Sequence, residues 1–364
     1  MRTLSPKNLV LAGVLLGLAY GLFTRFVFGL GIWRDFFEVM SLAFIFGMPL
    51  SLGFIAVWFG PYRNSRRGIE LIVMPWLSSI ACLFCALALV WEGIICIIIW
   101  LPLVLILSAI GGALAGLCLK IFKSPRDRNY CVVAVALLPF VVAPFERFRA
   151  VASETNTVPT QIKIHAPPTV VWNQIRSVPL ISEQEQYFSF SHLMGFPRPL
   201  EARLEGEGVG AVRYATFEHG VLFVETITEW QEPRRLSFSI RADTAHIPPT
   251  TFDEHVIIGG RYFDVLNGSY WIEDIGGGDV ILHLSSEQRL STRFNFYSHY
   301  WTEYLMADLQ NYILEIIKRR CAAAASKNET GATAASRACF ESSNPTYFLK
   351  PSSFSMKAFG PPLA

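Results

Sequence analysis

The sequence predicts an N-terminal α-helical transmembrane bundle of four to five spans, followed by an α+β domain whose antiparallel sheet wraps a long C-terminal helix. Three observations predict it. Apolar runs of membrane-crossing length recur through residues 1–150, and Lys and Arg gather in alternate connections between them. The chain then breaks into short alternating segments and closes on an apolar stripe at helical spacing over 296–320.

Composition supports the division. The 364 residues are 52% hydrophobic and 16% charged, against roughly 25% charged in an ordinary soluble domain. Residues 1–150 hold 13 Lys+Arg against 6 Asp+Glu, whereas residues 151–320 hold 14 against 21. An acidic soluble half excludes nucleic acid as a partner, since phosphate recognition needs a basic surface. Cys82, Cys85, Cys96, Cys118 and Cys131 lie in apolar runs, where a thiol acts as a small hydrophobe. No cysteine falls in 151–320, so that domain has no thiol nucleophile, thiolate metal site or internal disulfide.

A span needs about 20 apolar residues. Residues 8–28, 36–60, 69–90 and 94–119 meet that length, with Pro49 read as a tolerated kink in the second. The run 131–145 is shorter and holds Pro139 and Pro144. The first run is too long for a signal-peptide core and is read as a span. Lys7, then Arg63, Arg66 and Arg67, then Lys120, Lys123, Arg126 and Arg128 mark one side of the bundle. Positive charge stays in the cytoplasm, which places the N-terminus there. If 131–145 crosses, the following domain faces outward; if it only dips, the domain is cytoplasmic. Arg25, Glu38, Glu70 and Glu92 lie near predicted span ends, where snorkelling satisfies them. With no central ionisable residue, the bundle lacks the signature of a proton-coupled transporter. Gly111, Gly112, Ala115 and Gly116 predict a close helix–helix contact.

Residues 155–320 form the second domain. Ile162 and Ile164 alternate with Gln161 and Lys163, predicting a strand over 160–165. Pro167 and Pro168 open a short helix through Val171, Trp172 and Ile175. A short helical or irregular stretch follows over 182–190. Strands are then expected at 200–205, 212–217, 221–230, 236–241, 269–273 and 280–285, with a local pairing at 262–266 and glycine-rich turns between. The final helix carries Tyr297, Trp301, Tyr304, Leu305, Leu309, Tyr312, Ile313 and Ile316 on one stripe. Residues 321–364, rich in Ala, Ser, Pro and Gly, read as a disordered tail.

This layout resembles the START-like, polyketide-cyclase-like (SRPBCC) superfamily, whose fold is the helix-grip. The resemblance rests on Ile164 to Trp172 (IHAPPTVVW), the Gly208 to Arg213 hairpin, Glu225 to Trp230 followed by Pro233 and Leu236, and the last helix. It implies a deep apolar cavity between sheet and terminal helix, holding a lipid, isoprenoid or polyketide-like molecule. Membrane-attached versions occur in bacteria, so it also implies a multi-pass inner-membrane protein with the bilayer as a partner.

These are fold signals and not catalytic signatures. None of the seven histidines sits in a zinc-binding spacing, so no metal or other cofactor is expected. No Gly-x-Ser-x-Gly elbow exists, which excludes an α/β-hydrolase. Candidate cavity residues are Arg213, Glu225, His255, Tyr270, Tyr297, Tyr300, Trp301 and Tyr304. Arg213 and Glu225 lie on neighbouring strands, and a surface cross-strand pair is the favoured reading over a ligand anchor. His255 or Glu225 is the first choice of general base if the domain is an enzyme. Three functions stay open: a tethered binding module, which is favoured; a cyclase or hydrolase; and a membrane assembly partner with a filled core. The sequence sets no oligomeric state.

Overall fold

The computed structural model describes residues 5–33, 36–61, 68–243 and 258–342. Among the described residues of the first half are the helices α1 (Pro6–Gly29), α2 (Met48–Trp58), α3 (Glu70–Ala88), α4 (Ile94–Ile121) and α5 (Pro125–Glu146). Helices α1, α3, α4 and α5 are long and apolar enough to cross a membrane. The second predicted span, 36–60, is different. Its helical part is α2 and the π-helical stretch Ala43–Gly47 before it, shorter than the other four helices, enclosed by its neighbours and running back along α1, with Phe44 beside Phe28 and Ala56 beside Gly13. The shortest predicted run, 131–145, belongs to a full-length helix. Ser124 and Pro125 start it early, and Arg128 turns back to donate to the Phe122 and Leu119 carbonyls at the end of α4.

Proline and glycine explain how the bundle packs. Pro49 has no N–H to offer the Ile45 carbonyl. The Trp100 indole N–H bonds that carbonyl instead, at 3.2 Å, where the chain widens into its π-turn. Pro139 likewise releases the Val135 carbonyl, which accepts from the Ser51 hydroxyl at 2.8 Å. The predicted small-residue contact is present: a Cβ on Gly111 would stand 2.0 Å from the Leu50 carbonyl oxygen, and one on Gly53 2.0 Å from that of Ser108. Arg25 and Glu92 do not snorkel outward. They pair at 2.6 Å with both side chains largely buried. The Glu146 carboxylate accepts from the N–H groups of Leu42 and Ala43, which have no partner of their own before a helix start.

The second half is one seven-stranded antiparallel sheet: β1 (Glu154–His165), β2 (Pro199–Glu205), β3 (Val212–Phe217), β4 (Leu222–Gln231), β5 (Arg235–Asp243), β6 (Phe263–Gly276) and β7 (Asp279–Leu290). Its order is β1-β7-β6-β5-β4-β3-β2, a meander closed by the first strand at the far edge. Helix α6 (Pro168–Arg176), a single turn α7 (Phe190–Leu193) and the long α8 (Asn295–Ser342) complete it. Two predicted pieces, 262–266 and 269–273, fall along one strand, β6, joined through a bulge between Val265 and Asn267. Trp172, Ile175, Leu236, Leu282, Leu314 and Ile317 form the centre of the core.

Helix α8 runs past the expected end at 320 into the segment read as tail. Cys321 is fully buried in the domain core, and the alanines after it favour continued helix. Residues 343–364 lie outside the described residues, as does His255.

The halves touch through named contacts. Glu38 accepts from Arg261 at 2.7 Å and from the Tyr262 hydroxyl at 2.5 Å. The Tyr297 hydroxyl donates to the Ile99 carbonyl at 2.5 Å, and Phe294 packs into the cluster around Phe28 and Phe44. The domain therefore sits at the end of the bundle where α1, α3 and α5 finish and α2 and α4 begin.

Candidate functional site

Inward-facing residues follow from strand alternation. On β3 these are Arg213 and Ala215, and on β7 Leu282, Leu284, Ser286, Gln288 and Leu290. Opposite them, α8 turns Leu309, Gln310, Ile313 and Ile317 toward the sheet. Between these layers lies a cavity of about 150 Å³, walled mainly by apolar groups such as Ala215, Phe238, Leu284, Leu309, Ile313 and Ile316. Gly268 makes room for part of it, since a Cβ there would lie 2.5 Å from the Phe238 ring.

The polar wall has two buried parts, and the half-buried Glu201 lines it as well. Arg213 and Glu225 are direct partners in the β3–β4 register, and the Arg213 Nε donates to the Glu225 carboxylate. The pair exists, but not on the surface: the two residues are 3% and 5% exposed and line the cavity. Inward pointing decides this, because both fall on the core side of their strands. Burial pushes the Glu225 carboxyl up, with Arg213 opposing. The Arg213 cation is itself held by Glu225 against the same burial. Its Nη1 donates at 2.6 Å to the carbonyl of Ile175, in the last turn of α6, where carbonyls lack intrahelical partners. The Phe238 ring covers the guanidinium at 4.3 Å, and the Tyr270 ring lies 5.7 Å away. Burial raises the Tyr270 phenol, with Arg213 pulling the other way. Glu225 thus carries a bonded cation, which makes it a poor free base. The second polar part is Gln310, whose amide is satisfied by Thr160, Ser286 and the Val158 carbonyl.

The eight sequence candidates separate. Arg213, Glu225 and Tyr270 share this inner cavity. Tyr297 and Trp301 instead line a second cavity, of about 140 Å³, between α8 and the helical bundle. Tyr300 and Tyr304 line neither and are 72% and 52% exposed. At about 100° per residue they fall on the side of α8 away from Leu309 and Ile313. His255 is outside the described residues. Phe196, Phe238, Met306 and Gln310 were missed; Phe238 and Gln310 could have been found from strand alternation and the helical stripe. No group of three or more potential metal ligands occurs among the described residues.

A seven-stranded antiparallel sheet wrapped on one long terminal helix, with an apolar cavity between them, is the helix-grip arrangement. Here it is joined to a bundle of apolar helices. No family model matches the chain, and no curated protein sequence matches it. Among solved structures the chain is similar to a norcoclaurine synthase point mutant from Thalictrum flavum in complex with a transition-state analogue. That match has 14% identity over 46% of this chain and 96% of that one, with a TM-score of 0.28. A START superfamily protein from Mycobacterium smegmatis matches at 7% identity over 46% and 97%, TM-score 0.30. Major latex-like protein 151 from Panax ginseng matches at 15% identity over 46% and 97%, TM-score 0.30.

Proposed function

We propose that this protein is a membrane-tethered binding module that holds a hydrophobic small molecule, of lipid, isoprenoid or polyketide-like character, in the inner cavity. One observation carries the reading. The space between sheet and α8 is bounded mainly by apolar side chains, and the buried charges on its wall, Arg213 and Glu225, neutralise each other. A cavity of that kind favours an apolar ligand and offers it a few oriented polar groups. Attachment to the bundle keeps the domain beside a bilayer, where such molecules concentrate.

The chain's path supports one sidedness. Lys7, Lys120, Lys123, Arg126 and Arg128 lie at the bundle end away from the domain. The positive-inside rule then assigns that end and the N-terminus to the cytoplasm, and the domain to the outer face.

The Arg213, Glu225 and Tyr270 cluster is the observation that favours a second reading, an enzyme acting on the same ligand. The existing bonds of Arg213 to Glu225 and to Ile175 weigh toward a binding and structural role. A dansyl-labelled fatty acid titrated into the full-length protein in nanodiscs tests the proposal. Saturable fluorescence enhancement is expected, lost in Ala215→Trp, which fills the cavity. Equal enhancement in the variant, or none above empty nanodiscs, refutes it.

A further inference from the structure

The inner cavity has a neighbour. The second cavity is walled on one side by Ile95, Ile99 and Trp100 of α4 and on the other by Tyr297, Trp301 and Leu305 of α8. Since α4 begins at Ile94, Trp100 stands about 9 Å along the helix at 1.5 Å per residue. This cavity therefore reaches more than a turn into the bundle, past the helix ends and into the zone that apolar helices share with lipid. Its carboxylate, Glu92, is already paired with Arg25.

The two cavities meet. Phe196, Ile258, Met306 and Leu309 line both, so one layer of uncharged side chains separates them. Methionine is unbranched and adapts its shape readily, which makes Met306 a movable part of that layer. On the inward face of β7, Ser286 lines the inner cavity and Leu290 the outer one. Gln288 comes between them along the strand and lines neither cavity; it is 1% exposed, and neither its amide oxygen nor its nitrogen has a partner among the described residues. A buried unpaired amide is costly. The nearby Gln310 amide, by contrast, is satisfied within the protein.

We propose that the outer cavity is a second binding site, an antechamber. Through it a chain-like apolar molecule with one hydrogen-bonding headgroup moves from the membrane-embedded bundle into the inner cavity. Met306 and Leu309 form the movable partition, and Gln288 bonds the headgroup at the crossing point. This rests on the inner cavity being a ligand site, and the test separates the two ideas.

A fatty acid carrying a diazirine, dissolved in nanodiscs around the full-length protein, is photolysed and the labelled peptides are mapped. The wild type is expected to carry label at Tyr297 and Trp301 and at Ala215 and Phe238. In Met306→Trp and in Leu309→Trp, the inner label falls about tenfold relative to the outer label, the effect of roughly 1.4 kcal/mol. Gln288→Leu lowers labelling by the fatty acid but not by a diazirine-bearing alkane. Undiminished inner label in both tryptophan variants overturns the passage while leaving the binding module standing. Absence of outer label in the wild type overturns the second site. Outer label without any inner label in the wild type sinks the binding reading itself.

Discussion

The two halves of this protein solve packing in different ways. In the bundle small residues are buried where helices cross, as at Ser51, Ser78, Ser108, Gly111 and Ala115, beside large ones such as Phe44 and Phe54, while Leu11, Phe84, Ile106 and Leu117 are exposed. In the domain the largest are inside, with Trp172, Tyr312, Leu236 and Leu282 at or below 1% exposure. In water, burying large apolar groups drives folding. Between helices in lipid that drive disappears, and close backbone approach and interhelical hydrogen bonds replace it. The difference teaches which surface each half is built to face. It also shows where charge goes: Arg25–Glu92 in the bundle and Arg213–Glu225 in the domain are both buried, and both are paired.

The largest break in that contrast comes from the domain's buried pair. Glu225→Ala leaves Arg213 without its counter-charge, and thermal unfolding should report a loss of about 3–5 kcal/mol. Replacing both partners together, Arg213→Met with Glu225→Leu, should restore most of it; an equal loss would mean that the Arg213 bond to Ile175 holds the site. Next comes the bundle. Gly111→Val places a Cβ against the Leu50 carbonyl oxygen and is expected to destabilise by about 1–3 kcal/mol. Leu117→Ala, on a half-exposed position of α4, should stay within about 0.5 kcal/mol in detergent. The reverse ranking would mean that the exposed face is covered in the native state.

A further modest effect is one of pH. Arg320 holds the Glu185 carboxyl down to about 2, against burial, and Ser182 adds hydrogen bonds. A carboxyl lowered on folding stabilises above its ordinary value of 4.5 and loses that contribution as pH falls toward 2. Much of the pair is solvated, so the contribution is at most about 1 kcal/mol. Arg320→Met should flatten the stability profile across that window.

Hydropathy and alternation made most of this architecture legible, because each reports a local period. The meander, the α6 opening at Pro167-Pro168 and the Arg213–Glu225 register all follow from it. Enclosure is not local, and α2 shows the consequence: its apolar run reads like the other spans, yet it returns along α1 as a shorter helix wrapped by its neighbours. Helix α5 shows the converse, since Arg126, Asp127 and Arg128 interrupt the hydropathy without interrupting the helix. Tyr300 and Tyr304 were misplaced because an aromatic stripe marks a broad face and not its centre. The outer cavity was invisible, as its walls come from α4, α8 and segments more than 100 residues apart. Burial of Arg213 and Glu225 needed only the inward phase of two strands, a signal present but outweighed by the general rarity of buried charge.

The central claim, an apolar ligand held between sheet and α8, is tested most directly by mass spectrometry of organic extracts from the full-length purified protein. The account predicts an apolar species near one per chain, present in wild type and depleted in Ala215→Trp. Extracts from both that match the empty-nanodisc control, or the same species in equal amount from both, would contradict it.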